Sequence, residues 1–343
     1  MAGLCAAAHA QQLGLAPTVL EKGDRPGGSM LLSSGVVWRY RSLEEFRREC
    51  PSGDAALQRQ VVDRLDDGLA WLESLGARVL RKETGNPRTF GWRFDPRGLT
   101  DALVRAAGGV DLGRVPMPGT ETGPLVLATG GFAARLARER GLALRSNPWS
   151  SGDGLDLGLA HDAATTDGMH EFYGRAMPAP PARWGQAQFV DHAQLYGRFA
   201  RVVDDDGIPI PQAPGDWSEN GLVQEIARHG GRAWYVVATG DLGRKTPYGT
   251  IAEVIERARR AGGTVEEREG GVAVRVVAAV THTIGGLAID ERARVLGRDG
   301  RPLDGLYAAG VDAGGWSTGG YASGLASALV FGRIAAEEIA GSG

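Results

Sequence analysis

Only two cysteines, Cys5 and Cys50, occur in 343 residues. Neither a disulfide framework nor a cysteine-built metal cluster can be made from them, so no metal site is expected and a reducing, cytoplasmic setting fits. Charge of one sign is also lacking: 38 basic side chains face 41 acidic ones, for a net charge of −3. That balance speaks against a nucleic-acid partner, which would need a basic patch or stripe. No run approaches the roughly 20 apolar residues of a bilayer-spanning helix, so no integral membrane segment is expected. The first residues are small and apolar but have no basic region before them, and no export signal is read there. Apolar residues still make up 43% of the chain, which excludes global disorder. The length fits about two domains of ~150 residues.

What the chain does have is glycine, 53 residues of it, against about 24 at average usage of ~7%. The excess falls in short clusters: Gly27-Gly28, Gly130-Gly131, Gly152-Asp153-Gly154, Gly285-Gly286, Gly314-Gly315 and Gly319-Gly320. Glycine is required where backbone takes positive φ or approaches a ligand closely. Clusters spread along the whole chain point to one large cofactor touched by several loops.

Residues 3–13 predict an alanine-rich helix stopped by Gly14, and Ala16–Glu21 a short strand ending in an acid. Apolar positions at helical spacing predict a helix over 54–75, and a further helix is expected over 99–107, with Thr100 and Asp101 near its start. The run Pro124–Thr129 between two glycines predicts a buried strand. From about 147 to 250 prolines and aromatics multiply and helical periodicity is mostly lost, as in an inserted cap. An amphipathic helix over 250–262, a short strand at Leu306–Ala309 and a helix from Gly324 to about Ile339 follow. The expected fold class is α/β: a Rossmann-like first part (1–146), an α+β cap (147–270) and a C-terminal return to the first domain (271–343), sharing one parallel sheet.

Three constellations carry chemistry. The first is Gly3, the alanine helix and Glu21. A dinucleotide site uses G-x-G-x-x-G between strand and helix, then an acid about 20 residues on for the ribose hydroxyls. Gly3 takes the place of the third glycine, where a helix must pack tightly; an ordinary helix–strand unit would look similar. The second is Ala128-Thr129-Gly130-Gly131 at the end of a buried strand, where ligands bind in open α/β sheets. The third is Ala309-Gly310-Val311-Asp312, followed by glycines and a helix. Such a helix N-terminus offers free N–H groups and partial positive charge.

Together these stretches resemble the fumarate reductase/succinate dehydrogenase flavoprotein superfamily, which includes 3-ketosteroid dehydrogenases. The resemblance is carried by GLCAAAHAQQLG…TVLEKGDRPGGSMLLSSG, VLATGGF, NPWSSGDG, THTIGGLAID and GLYAAGVDAGG…GGYASGLASALVFGRIAAEE, and it runs nearly end to end. It implies bound FAD and redox chemistry at a carbon–carbon bond next to a carbonyl or carboxylate. It further implies that Gly3, Glu21 and Lys22 serve the adenosine half. Gly27, Gly28 and Ser29 would approach the pyrophosphate and flavin. Ala128, Thr129, Gly130 and Asp153 would line the cleft, with Gly310 and Asp312 at the ribitol. Ser323, Gly324 and Leu325 would face the electron-rich end of the isoalloxazine.

The departures sharpen this reading. Members that attach FAD covalently use a histidine near the GGS segment, and residues 26–40 contain none, so the FAD is expected to be noncovalent. Dicarboxylate reductases carry an HTxGG histidine, matched by His282 in His282-Thr283-Ile284-Gly285-Gly286; a structural histidine in a turn is the plainer alternative. They also carry an arginine before the last helix, where this chain reads Ser317-Thr318-Gly319-Gly320-Tyr321, and a cap arginine as proton donor, where it reads Asp216-Trp217-Ser218-Glu219. Tyr321 and Tyr173 remain as candidate acids or carbonyl-binding donors beside His282. A tyrosine of ordinary pKa near ~10 needs a perturbed environment to act as a base.

The first strand and first two glycines of the dinucleotide motif do not precede Gly3, so the start of the natural chain is expected upstream of Met1. The leading expectation is an FAD-dependent oxidoreductase that works on an enone, ketosteroid-like or otherwise, by hydride transfer at flavin N5, with a small-molecule substrate and an unidentified electron partner. A fumarate/succinate-type dicarboxylate reductase or dehydrogenase is the alternative. A non-catalytic binding protein that has lost its flavin is the rival from another class.

Overall fold

A computed structural model describes residues 1–115 and 123–342 of the chain. It divides into two compact units: Met1–Phe132, Asn147–Glu171 and His282–Gly343 form the first, Ala133–Ser146 and Phe172–Thr281 the second. The chain therefore leaves the first unit and returns to it, as the sequence order implies, but at other boundaries than 147 and 271. Residues 147–171 stay with the first unit because Thr166 N and Gly286 N bond across to Gly286 O and Thr166 Oγ1. Residues 133–146 belong to the second because strand Ala143–Leu144 pairs in parallel with the long strand Gly271–Thr283.

In the first unit, helix Ala2–Gln12 packs along the last helix, Gly324–Gly341. Small residues allow this. A Cβ at Gly332 would sit 2.7 Å from the Ala2 carbonyl and 3.2 Å from Cys5 Cβ, so any larger residue would push the helices apart. Gly3 likewise lies with its would-be Cβ 3.4 Å from Ala128 Cβ, at the end of strand Leu125–Leu127. That distance is ordinary van der Waals contact, so the helix lies close to the strand end there.

The first unit's sheets are mixed. Leu20–Glu21 pairs in parallel with Asp111–Leu112. Leu125–Leu127 pairs in parallel with Pro302–Ala308, which pairs antiparallel with Arg294–Leu296. The two parallel pairs belong to separate sheets. A three-stranded antiparallel sheet holds Val36–Tyr40, Thr89–Phe94 and Val79–Arg81 in the order first, second, third.

Several elements differ from expectation in extent. The strand expected over Ala16–Glu21 is paired only at Leu20 and Glu21, because its partner offers two residues. The helix expected from 99 starts at Pro96, where Asp95 caps Gly98 N; Thr100 Oγ1 instead donates back to the Pro96 carbonyl. Helix Ala55–Ser74 follows the expected periodicity, with Leu57, Val61, Leu65, Leu69 and Leu72 buried.

The second unit is built on a sheet in the order Val265–Arg268, Gly271–Thr283, Arg232–Ala238, Arg201–Val203, with Phe172–Pro178 and Ala143–Leu144 also paired to the long strand. Helix Asn220–Arg228 packs against strand Phe172–Pro178. Helix Ile251–Arg260 opens with a capping box of Thr250 and Glu253. Among the described residues, no helix is long and apolar enough to cross a membrane.

Candidate functional site

The parallel register Leu306↔Leu125, Tyr307↔Val126, Ala308↔Leu127 ends two strands side by side. Their loops, Ala128–Gly131 and Ala309–Asp312, therefore leave the sheet together at its carboxyl edge. Asp312 ties them. Thr129 Oγ1 donates to Asp312 Oδ1 and Gly130 N to Oδ2, each at 2.9 Å. Asp312 is 2% exposed. Burial pushes its carboxyl above the ordinary carboxylate range, while the Gly130 amide, the Thr129 hydroxyl and neighbouring amides pull the other way. Thr129 stays exposed and accepts the Gly154 N–H at 3.1 Å, which brings a third glycine loop to the same place.

The adenosine-side candidates lie in the same unit. Glu21 Oε1 accepts Gly23 N at 2.7 Å, and Gly23 lies close against the Trp149 ring, 3.1 Å from its would-be Cβ. Lys22 Nζ bonds Asp153 Oδ2 and Ser151 Oγ, both at 2.7 Å. Asp153 opens the helix Asp153–Ala160. The next residue is Gly154, so this ion pair adjoins the Thr129–Asp312 tie. Gly27 and Gly28 hold φ of 103° and 51° in a turn that only glycine adopts without strain. Ser29 Oγ accepts the Asn147 N–H at 3.2 Å.

The last helix supplies the other end. Ser323 caps it, its Oγ accepting from Ala326 N. The first two helical N–H groups, on Gly324 and Leu325, have no acceptor within the helix and carry its partial positive charge. His282 stands against this turn: its Nε2 is 3.2 Å from where a Gly324 Cβ would be. Its Nδ1 faces the Thr283 carbonyl at 3.1 Å. A carbonyl only accepts, so the proton is assigned to Nδ1. Burial lowers the His282 pKa to about 4, against the smaller opposing effect of the Thr283 bond, so the ring is neutral at pH 7. Tyr321, two residues before the cap, packs edge-on against Trp38 with ring centroids 5.3 Å apart.

Of the sequence-derived candidates, the structure gathers all but Tyr173 in the first unit. Tyr173 belongs to the second unit, on strand Phe172–Pro178, with the Arg175 guanidinium 4.7 Å above its ring. The same unit holds a group that sequence reasoning missed. Glu219 is 2% exposed, has left-handed φ of 57°, and accepts Gly197 N at 2.9 Å and Arg198 N at 3.4 Å. Burial raises its pKa to about 7, opposed first by the Gly197 amide and then by Arg175. No local pattern marks it, because a glutamate between serine and asparagine reads as surface.

The residues present fit a long dinucleotide. Gly130, at φ 91°, has only Ser150 Cβ, 3.9 Å away, near its would-be Cβ, so backbone there is open to close approach. A family described as FAD binding domain matches residues 1–108 and 118–328. Over 99% of the chain and 73% of the relative, the sequence is 24% identical to a probable fumarate reductase Ifc3 of Shewanella frigidimarina. A shorter match, 49% identical over 61 residues, links it to an NADH:acrylate oxidoreductase of Vibrio harveyi, covering 17% of this chain and 6% of that protein. The fold is similar to that of 3-ketosteroid-delta4-(5alpha)-dehydrogenase from Rhodococcus jostii, with a TM-score of 0.70 and 18% identity over 99% of this chain and 94% of that one.

Proposed function

Since the chain belongs to the FAD binding domain family, within the flavoprotein superfamily of fumarate reductase and succinate dehydrogenase, we propose that it is an oxidoreductase with noncovalent FAD, acting on a carbon–carbon bond next to a carboxyl or carbonyl group. A short unsaturated carboxylate is the substrate class put first. The observation that carries the reading is His282 held against the first residue of the last helix. It places an HTxGG imidazole beside the N–H groups that would face the flavin. The relatives named for fumarate and acrylate lean the same way. The loop Ser317–Tyr321 has no arginine, which favours a substrate with one carboxyl over one with two.

When bound, FAD supplies or accepts the hydride. The rest falls to this chain's residues. Gly3 lets the first helix approach the sheet, and Gly27, Gly28 and Ser29 with the 128–131 and 310–312 loops offer backbone to the cofactor. Glu21 accepts from ribose hydroxyls, and the Lys22–Asp153 pair borders that end. Gly324 and Leu325 N–H groups favour negative charge on the flavin's far end. A carboxylate that reaches His282 is oriented through Nε2 once the ring has taken up a proton. Tyr321 donates to a carbonyl oxygen.

A second reading, a neutral enone as substrate, is favoured by the missing arginine together with the Tyr321 phenol. A substrate panel separates the two: acrylate, fumarate, but-3-en-2-one and 4-androstene-3,17-dione, each with FAD-loaded protein and reduced methyl viologen. Acrylate turnover supports the first reading. Turnover of the ketones alone supports the second, and turnover of none overturns both.

A further inference from the structure

The segment that enters the last helix is gripped from one strand. On Val36–Tyr40, Trp38 and Tyr40 are two apart and so share a face. Both reach the 321–323 segment. Tyr40 Oη donates to the Tyr321 carbonyl at 2.6 Å, and Trp38 N donates to Ser323 Oγ at 3.5 Å. The Trp38 ring lies edge-on to both tyrosines, 5.3 Å from each. Tyr40 is 1% exposed.

The other side of the segment is fixed as well. The Tyr321 N–H donates to Cys50 Sγ. A Cβ at Gly320 would overlap the Glu49 carbonyl and come within 2.7 Å of Cys50 Sγ, so backbone here runs directly against the end of helix Leu43–Glu49. Gln58, fully buried, donates to both the Cys50 and Trp316 carbonyls, at 3.0 and 3.1 Å. Tyr321 is thus held at its carbonyl by Tyr40, at its amide by Cys50 and at its ring by Trp38.

We infer that Tyr40 is a positioning residue: its hydroxyl fixes the backbone of Tyr321, and through it the aim of the Tyr321 phenol. The inference rests on the role of Tyr321 given under the proposed function. A tyrosine that served only to fill the core would need no hydroxyl, and phenylalanine would replace it without consequence. Losing this buried hydrogen bond frees the Tyr321 carbonyl, while the contacts at its amide and ring remain.

The test compares Tyr40→Phe, Tyr321→Phe and the double variant, each as the full FAD-loaded chain. Hydrogen exchange of the peptide spanning 318–326 is measured alongside turnover of whichever panel compound is reduced. The expected result for Tyr40→Phe is faster exchange in that peptide, unchanged FAD affinity, and kcat lower by roughly fivefold to tenfold at constant KM. The double variant is expected to be no slower than Tyr321→Phe alone, since both substitutions then act through one group. Exchange at the wild-type rate overturns the inference, as does a double variant slowed by the product of the two single effects. Full turnover in Tyr321→Phe removes the assigned role of Tyr321 and the catalytic part of the inference together. Full turnover in Tyr40→Phe beside a crippled Tyr321→Phe removes the inference alone. The exchange measurement needs no substrate, so it decides the positional claim whatever the panel gives.

Discussion

Thr129 Oγ1 and Asp312 Oδ1 meet at 2.9 Å, although 182 residues separate Gly130, the next donor to the same carboxylate, from Asp312. One buried carboxylate joins the ends of two parallel strands and aligns their glycine loops. A third loop is attached through Gly154 N, which donates to the same hydroxyl. The geometry makes Asp312 first of all a tie between loops, and its service to a cofactor depends on that tie.

Thr129→Val keeps the shape and removes the hydroxyl. It leaves Asp312 one donor short and Gly154 N without its acceptor. The expected loss is about 1–3 kcal/mol of stability, the usual cost of stranding buried polar groups. FAD binding is expected to weaken in parallel. Urea denaturation of the apoprotein and an FAD titration would measure the two effects; unchanged values in both would remove the tie from the account.

Glu219 makes stability depend on pH. Its folded pKa lies at about 7, above the ordinary glutamate value. The neutral form is therefore favoured by folding, and this contribution is full below the unfolded pKa and lost as pH rises through about 7. Glu219→Gln holds the neutral form at every pH. It is expected to match wild type near pH 4 and to be more stable at pH 8, by on the order of 2 kcal/mol. Denaturation curves at the two pH values read this directly; an equal difference at both would contradict it.

Glu337 behaves in the opposite sense. The His9 imidazole at 3.2 Å, and then the Arg64 guanidinium at 2.6 Å, hold its pKa down to about 2. Its stabilising effect is present above the unfolded carboxyl pKa and is lost as pH falls toward 2. The side chain is 34% exposed, so solvent screens these contacts. Glu337→Gln is expected to cost about 1 kcal/mol at pH 7 and little at pH 2. Denaturation at those two pH values would show whether the gap closes.

Much of the site was legible in the sequence because glycine clusters carry backbone geometry with them. Gly27-Gly28, Gly130-Gly131 and Gly310 all adopt positive φ. Helix Ala55–Ser74 followed from periodicity; the bounding glycines marked strand Leu125–Leu127, but only Leu127 of it is buried, against the expectation of a buried strand. Tyr40 and Glu219 were not legible. Their roles arise from partners 281 and 22 residues away, at Tyr321 and Gly197, and such pairings leave no local pattern. The unit boundaries were missed for the same reason, since strand Ala143–Leu144 is claimed by a partner far along the chain.

His282 separates the two substrate readings by pH. The neutral ring carries no charge to pair with an anion, so contact with a carboxylate is favourable only if the ring takes up a proton. An arriving carboxylate should therefore bind with proton uptake. Between pH 8 and 5 the KM for acrylate is expected to fall by as much as about tenfold per unit, while that for but-3-en-2-one stays flat. His282→Gln should abolish the dependence. A pH-independent acrylate KM in the wild type would argue against contact between His282 and a carboxylate.

The most direct test of the central claim, that these separate backbone loops hold one FAD, is an equilibrium titration of the purified chain with FAD, followed by flavin fluorescence and by absorbance near ~450 nm. The account expects saturation at one FAD per chain, and weaker binding when Thr129 is replaced by valine. A flavin signal that stays at its free-solution value at every protein concentration would contradict it.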